Sequence, residues 1–125
     1  MAQISALALS EPVRVDGRRV ADIVAQLGEG AAHRVIGLAL EQLAATLTDA
    51  DAALRAGRIA DAVALSETIS RLAWQIGLLS FAGVAMDLGA AAERGDAPAL
   101  AAIHARLMRV GNRSLTAIWD RSAMA

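Results

Sequence analysis

Apolar residues recur along the chain at steps of three and four, and the pattern breaks where glycine or proline stands. After an irregular tail over residues 1–15, Asp16 is placed to cap a short helix carrying Val20, Ile23, Val24 and Leu27, which ends near Gly28-Glu29-Gly30. A long second helix is predicted over residues 31–55. Its apolar line, Ile36, Leu40, Leu43, Leu47, Ala50 and Leu54, is the seam of a helix packed on neighbours, and Gly57 follows its end. The third runs from Ile59 to Ile76 on the seam Ala62, Leu65, Ile69, Leu72 and Ile76, and closes at Gly77. A fourth starts near Leu78 and carries Phe81, Val84, Ala85 and Leu88 before Gly95-Asp96. Asp96 is then a cap for the fifth, with Pro98 in its first turn, where a missing N–H costs little. That helix carries Leu100, Ile103, Leu107, Val110, Leu115 and Ile118 and reaches about Arg121.

No segment alternates with period two over the length of a strand, so the chain reads as all-α. Short connections between long amphipathic helices make neighbours antiparallel. The expected architecture is one domain over residues 16–125: an up-down-up-down antiparallel four-helix bundle with a short N-terminal cap helix. Abundant alanine allows the helices to approach closely and keeps helix propensity high.

Composition then narrows the function. Hydrophobic residues make up 56% of the 125, but alanine supplies much of that. No uninterrupted apolar run approaches the roughly 18–20 residues of a membrane span. The opening Met1–Leu9 stretch lacks a basic start and is soon followed by Glu11 and Pro12, which is unlike a signal peptide. With no cysteine there is neither a disulfide framework nor thiolate chemistry, and a cytoplasmic location is expected. All twelve basic residues are arginine, spread along the chain, and aromatics are 2%, so the concentrated basic face of a nucleic-acid binder is not expected.

Catalytic chemistry is equally thin. His33 and His104 lie on different helices, each at the flank of its seam, and read as boundary histidines partly covered by packing. No carboxylate–histidine pair at i, i+3 or i+4 resembles a di-metal bundle site, and neither a phosphate loop nor a Ser/His/Asp set is present. Met86, Met108 and Met124 read as gap-fillers or tail residues. No enzyme, metal or cofactor is expected.

The third helix is the exception. With Leu65, Ile69, Leu72 and Ile76 inward, Glu67 lies about 190° and Trp74 about 170° from the core direction. Ala60, Val63, Ala64, Ser70, Arg71 and Leu78 complete an outer face that is small and apolar, with one carboxylate, one guanidinium and one indole. A tryptophan among alanines has the composition of a binding hot spot. The plainer alternative folds Trp74 against the tail or first helix and makes Glu67–Arg71 a surface ion pair worth about 0.3–0.5 kcal/mol.

This spacing resembles the histidine-containing phosphotransfer domains of bacterial phosphorelays. That family is a four-helix bundle, usually with an N-terminal cap helix. Its solvent-facing acceptor stands in His-x-Leu-Lys-Gly-Ser, ten residues after one glycine, ten before another, and about 28 before Gly-Asp. Gly57, Gly77 and Gly95-Asp96 stand at these offsets from Glu67, and Ile69 takes the place of the motif's leucine. Phe81, Val84 and Leu88 fill apolar positions of the next helix. The departures that bear on chemistry are these: the acceptor is Glu67, the motif's lysine is Ser70, and its glycine is Arg71. Phosphotransfer needs a nucleophilic imidazole nitrogen, which a carboxylate does not supply.

The resemblance therefore implies two-component signalling without phosphate acceptance. Its partner would be a response-regulator receiver domain or a histidine kinase, docked on Ala60, Val63, Ala64, Glu67, Ser70, Arg71, Trp74 and Leu78. Glu67 would offer a fixed charge where a phosphohistidine otherwise sits. Two alternatives stand beside this expectation: phosphotransfer through His33 or His104, and a structural bundle that forms a homodimer through the Trp74 face.

Overall fold

The computed structural model describes residues 11–124, with side chains to residue 118. Met1–Leu9, Met124's side chain and the segment before Glu11 lie outside the described residues. Five helices follow in order: α1 (Gly17–Leu27), α2 (Glu29–Arg55), α3 (Ile59–Gln75), α4 (Leu79–Arg94) and α5 (Ala97–Met124). Among the described residues there is no strand beyond one isolated antiparallel bridge, Val15 to Leu78, so the fold is all-α. No helix there is long and apolar enough to cross a membrane.

The predicted ends hold for physical reasons. Asp16 Oδ1 accepts from the N–H groups of Arg18 and Arg19 at 3.1 and 3.3 Å, and Asp96 Oδ1 accepts from Ala99 N–H at 3.1 Å. Each carboxylate satisfies donors that the first helical turn leaves unpaired and lies at the positive end of the helix dipole. α2 begins two residues before the predicted start, because Gly28 alone makes the break and Gly30 stays helical.

α2 packs on α3, α3 on α4, and α4 on α5, while α5 returns to α2, so each long helix touches two others. α1 lies on α2 through Val20 and Ile23. Between the long helices, Leu43, Ile69, Phe81, Leu88, Leu107 and Ile118 are fully removed from water. At about 1.5–3 kcal/mol for each such side chain, this apolar core supplies the main drive for folding. Gly111 brings α5 against it: a β-carbon there would stand 2.8 Å from Leu47 Cδ2 and 3.0 Å from Phe81 Cε1. The closeness of that approach is why glycine interrupts an otherwise apolar seam.

Residues 11–16 form a strap rather than a free tail. Asp16 N–H donates to Gly77 O at 2.7 Å, Leu79 N–H to Arg14 O at 3.1 Å, and Arg14 N–H to Ser80 Oγ at 2.7 Å. Arg19 Nε adds a bond to Gln75 O at 2.7 Å. The strap thus crosses the α3–α4 turn.

Candidate functional site

In α3 the fully inward positions are Ala62, Ser66, Ile69 and Ala73, whereas Leu65 and Leu72 are half-buried against the core's edge. The core direction is therefore turned by about 60° from the predicted leucine line, at ~100° per residue. Small side chains allow the closest approach of neighbouring helices, so they hold the innermost line and the bulkier leucines flank it. Ser66 is tolerated there because its hydroxyl donates to Val63 O at 2.7 Å.

The turn changes what the outer face presents. Ala64 and Arg71 point most directly outward, while Glu67 and Trp74 lean toward α4. Ala60, Ala64, Glu67, Arg71 and Trp74 are exposed, and Val63 and Ser70 are half-buried, so seven of the eight predicted face residues share one accessible surface. Trp74 is 66% exposed. No ion pair joins Glu67 to Arg71 among the described residues, and the strap does not cover either. Ser70 Oγ donates to Glu67 O at 3.0 Å, which leaves the Glu67 carboxylate to the solvent side.

Leu78 is the correction. It is fully buried, at 0% exposure, and bridges to Val15 of the strap. The angular argument fails there because α3 stops at Gln75 and the chain reverses at Gly77, whose φ is +83°. Beyond that residue the helical spacing no longer sets a side chain's direction.

Next to Glu67 the structure adds a groove of about 240 Å³ between α3 and α4, lined by Val63, Glu67, Ser70, Met86, Ala90 and Glu93 among others. Met86, which the sequence suggests as a gap-filler, is 65% exposed at its wall. Met86, Ala90 and Glu93 follow at steps of four and three along one side of α4, but that spacing alone does not say which flank of α4 meets α3. Carboxylates at Glu67 and Glu93 rim an otherwise small and apolar trough.

The two histidines part company. His33 is exposed on α2 rather than partly covered. His104 is half-buried, and its Nε2 lies 2.7 Å from Asp51 Oδ1, joining α5 to α2. Arg55 Nε also donates to both Asp51 oxygens at 3.1 Å. The hydrogen bond to His104, followed by that to Arg55, holds the Asp51 carboxyl below its ordinary range. Among the described residues no three His, Asp or Glu side chains gather as metal ligands. No family model, no curated protein and no solved structure matches the chain.

Proposed function

We propose that the chain is a phosphotransfer-type bundle that has lost its acceptor histidine and docks a response-regulator receiver domain, or a histidine kinase, without accepting phosphate. In this reading the four long helices run up-down-up-down and antiparallel, with α1 as the cap. The short connections at residues 56–58, 76–78 and 95–96 and the order of helix packing support it. The observation that carries the function is the position of Glu67. It stands exposed midway along α3, at the rim of the α3–α4 groove and two turns from an exposed Trp74. This is the place at which the resembled family holds its histidine.

The chemistry of the face fits a docking role. Trp74 and Met86 offer large apolar contact area on an accessible surface. Glu67 offers one negative charge where a phosphorylated histidine would carry nearly two. A partner that reads the charge would bind constitutively, as a competitor or adaptor. The test is titration of the purified chain against receiver and kinase domains from the same cell. Binding that is lost in Trp74→Ala is the expected result; no binding to any of them sinks the proposal.

A further inference from the structure

Arg106, Arg109 and Arg113 follow one another on α5 at steps of three and four, and so share one side of the helix. That side meets the outer end of the strap at Glu11. Arg106 Nε donates to both Glu11 carboxylate oxygens, at 3.2 and 3.1 Å, and its Nη2 to Oε1 at 2.6 Å. Arg113 Nη1 donates to the Glu11 main-chain oxygen at 2.7 Å. The hydrogen bonds from Arg106, then its charge and that of Arg109, hold the Glu11 carboxyl below its usual range. Arg109 Nε is itself buried and finds no acceptor among the described residues. Arg14 joins Arg106, Ser80 and Asp87 around a small cavity of about 190 Å³.

Arg106, Arg109 and Arg113 thus gather at Glu11, with Asp87 as the second carboxylate nearby. Asp87 reaches only Arg106 Nη1, at 3.9 Å, and is largely solvated, so it offsets little. Arginines that sequence inspection reads as scattered are brought together by the fold, with positive charge in excess and one N–H donor unused among the described residues. An unused buried donor is costly unless something accepts from it.

We propose that this surface is a binding site for a phosphate-class dianion, which Glu11 occupies in cis. A guanidinium fork matches two oxygens of a phosphate as it matches a carboxylate, and phosphate brings a further oxygen and nearly a second charge. Arg106 takes the fork, and Arg109 and Arg113 supply the remaining donors. The ligand is either free phosphate or a phosphorylated side chain; both present the same group. Glu11 can yield without the strap detaching. It lies at the outer end, beyond Pro12, while the main-chain groups of Arg14 and Asp16 hold the inner end by hydrogen bonds to Leu79, Ser80 and Gly77. As a tethered carboxylate it competes at high effective concentration and sets the threshold the anion must exceed. The site is built on α5 and the strap and does not use the α3–α4 groove, so it stands or falls separately from the docking proposal.

The experiment is calorimetric titration of the full chain and of Glu11→Gln, at constant ionic strength, with inorganic phosphate and with a short phosphoserine peptide. The unphosphorylated peptide serves as control. Glu11→Gln is expected to bind phosphate about tenfold more tightly than the unaltered chain, because the tethered competitor is gone. Adding Arg109→Gln to Glu11→Gln should remove most of that gain, with thermal melting used to confirm that the double variant is folded. Arg109→Lys, which keeps the charge but removes the guanidinium donors, serves if it is not. A phosphopeptide that binds well above free phosphate assigns a partner's side chain as the source; equal affinity assigns the group alone. Phosphate binding that does not improve in Glu11→Gln, or that survives unchanged without the Arg109 guanidinium, overturns the site.

Discussion

Asp16 and Gly77 fix each other's backbone: Asp16 N–H donates to Gly77 O at 2.7 Å, and Asp16 O lies 2.9 Å from where a Gly77 β-carbon would stand. Gly77 also holds φ at +83°. A side chain here meets both a backbone clash and a conformation that L-residues rarely adopt. Gly77→Ala is therefore expected to destabilise the fold by about 1–3 kcal/mol, measured by urea unfolding. Asp16→Ala, which removes only the cap, should cost about 1 kcal/mol. Equal stability of Gly77→Ala and the unaltered chain would contradict the strap geometry.

Acid should weaken the molecule through Glu11 and Asp51. Both carboxyls are held below their ordinary values in the fold, Glu11 first by Arg106 and Asp51 first by His104. Stability from such groups is complete above the unfolded carboxylate range, near pH ~4, and is lost as pH falls through the depressed folded values. Unfolding curves at pH 7, 5 and 3.5 should therefore show a steeper acid loss for the unaltered chain than for Glu11→Gln/Asp51→Asn. Parallel pH profiles would show that the two carboxylates do not carry the acid dependence.

Trp74→Ala separates binding from folding. At 66% exposure the indole contributes little to the core, so stability should change by no more than about 0.5 kcal/mol. Partner affinity should fall by about thirtyfold or more if Trp74 is a hot spot. Sedimentation of both proteins completes the measurement. A dimer that dissociates on this substitution would place a second copy, rather than a receiver, on the face.

On the phosphotransfer-type reading, Glu67→His combined with Arg71→Gly supplies an acceptor histidine and opens its approach. Incubation with a phosphorylated receiver is expected to place an acid-labile, base-stable label on residue 67 of this variant and none on the unaltered chain. A label on His33 or His104 of the unaltered chain would favour phosphotransfer at one of those residues instead. His104 has one ring nitrogen engaged by Asp51, so any label there must use the other.

Helix existence and ends were legible because local chemistry decides them: Asp16, Asp96 and the glycine breaks act within a few residues of where they stand. The direction of α3 was less so. Its largest apolar residues, Leu65 and Leu72, suggested the core line, but close packing gave that line to Ala62, Ser66 and Ala73. Leu78 was misplaced because a helical angle was carried past a reversal at Gly77. The α3 half of the groove could be read from periodicity, while Met86 could not, since its spacing is silent on which flank of α4 meets α3. The arginine cluster was hidden for another reason: Glu11 and Arg106 are 95 residues apart, and only the strap brings them together.

That separation gives the strap a kinetic consequence. Helix pairs joined by two or three residues form quickly, because their contacts are local. Closing Glu11 onto Arg106 and Arg113, the latter 102 residues away, must wait until α5 is in place and the loop entropy is met. The contact of Glu11 with α5 is therefore expected to form after the folding barrier. Stopped-flow measurements on Glu11→Gln should show faster unfolding with an unchanged folding arm. What the contact of Glu11 with α5 governs is how long the native state lasts, rather than how fast it forms.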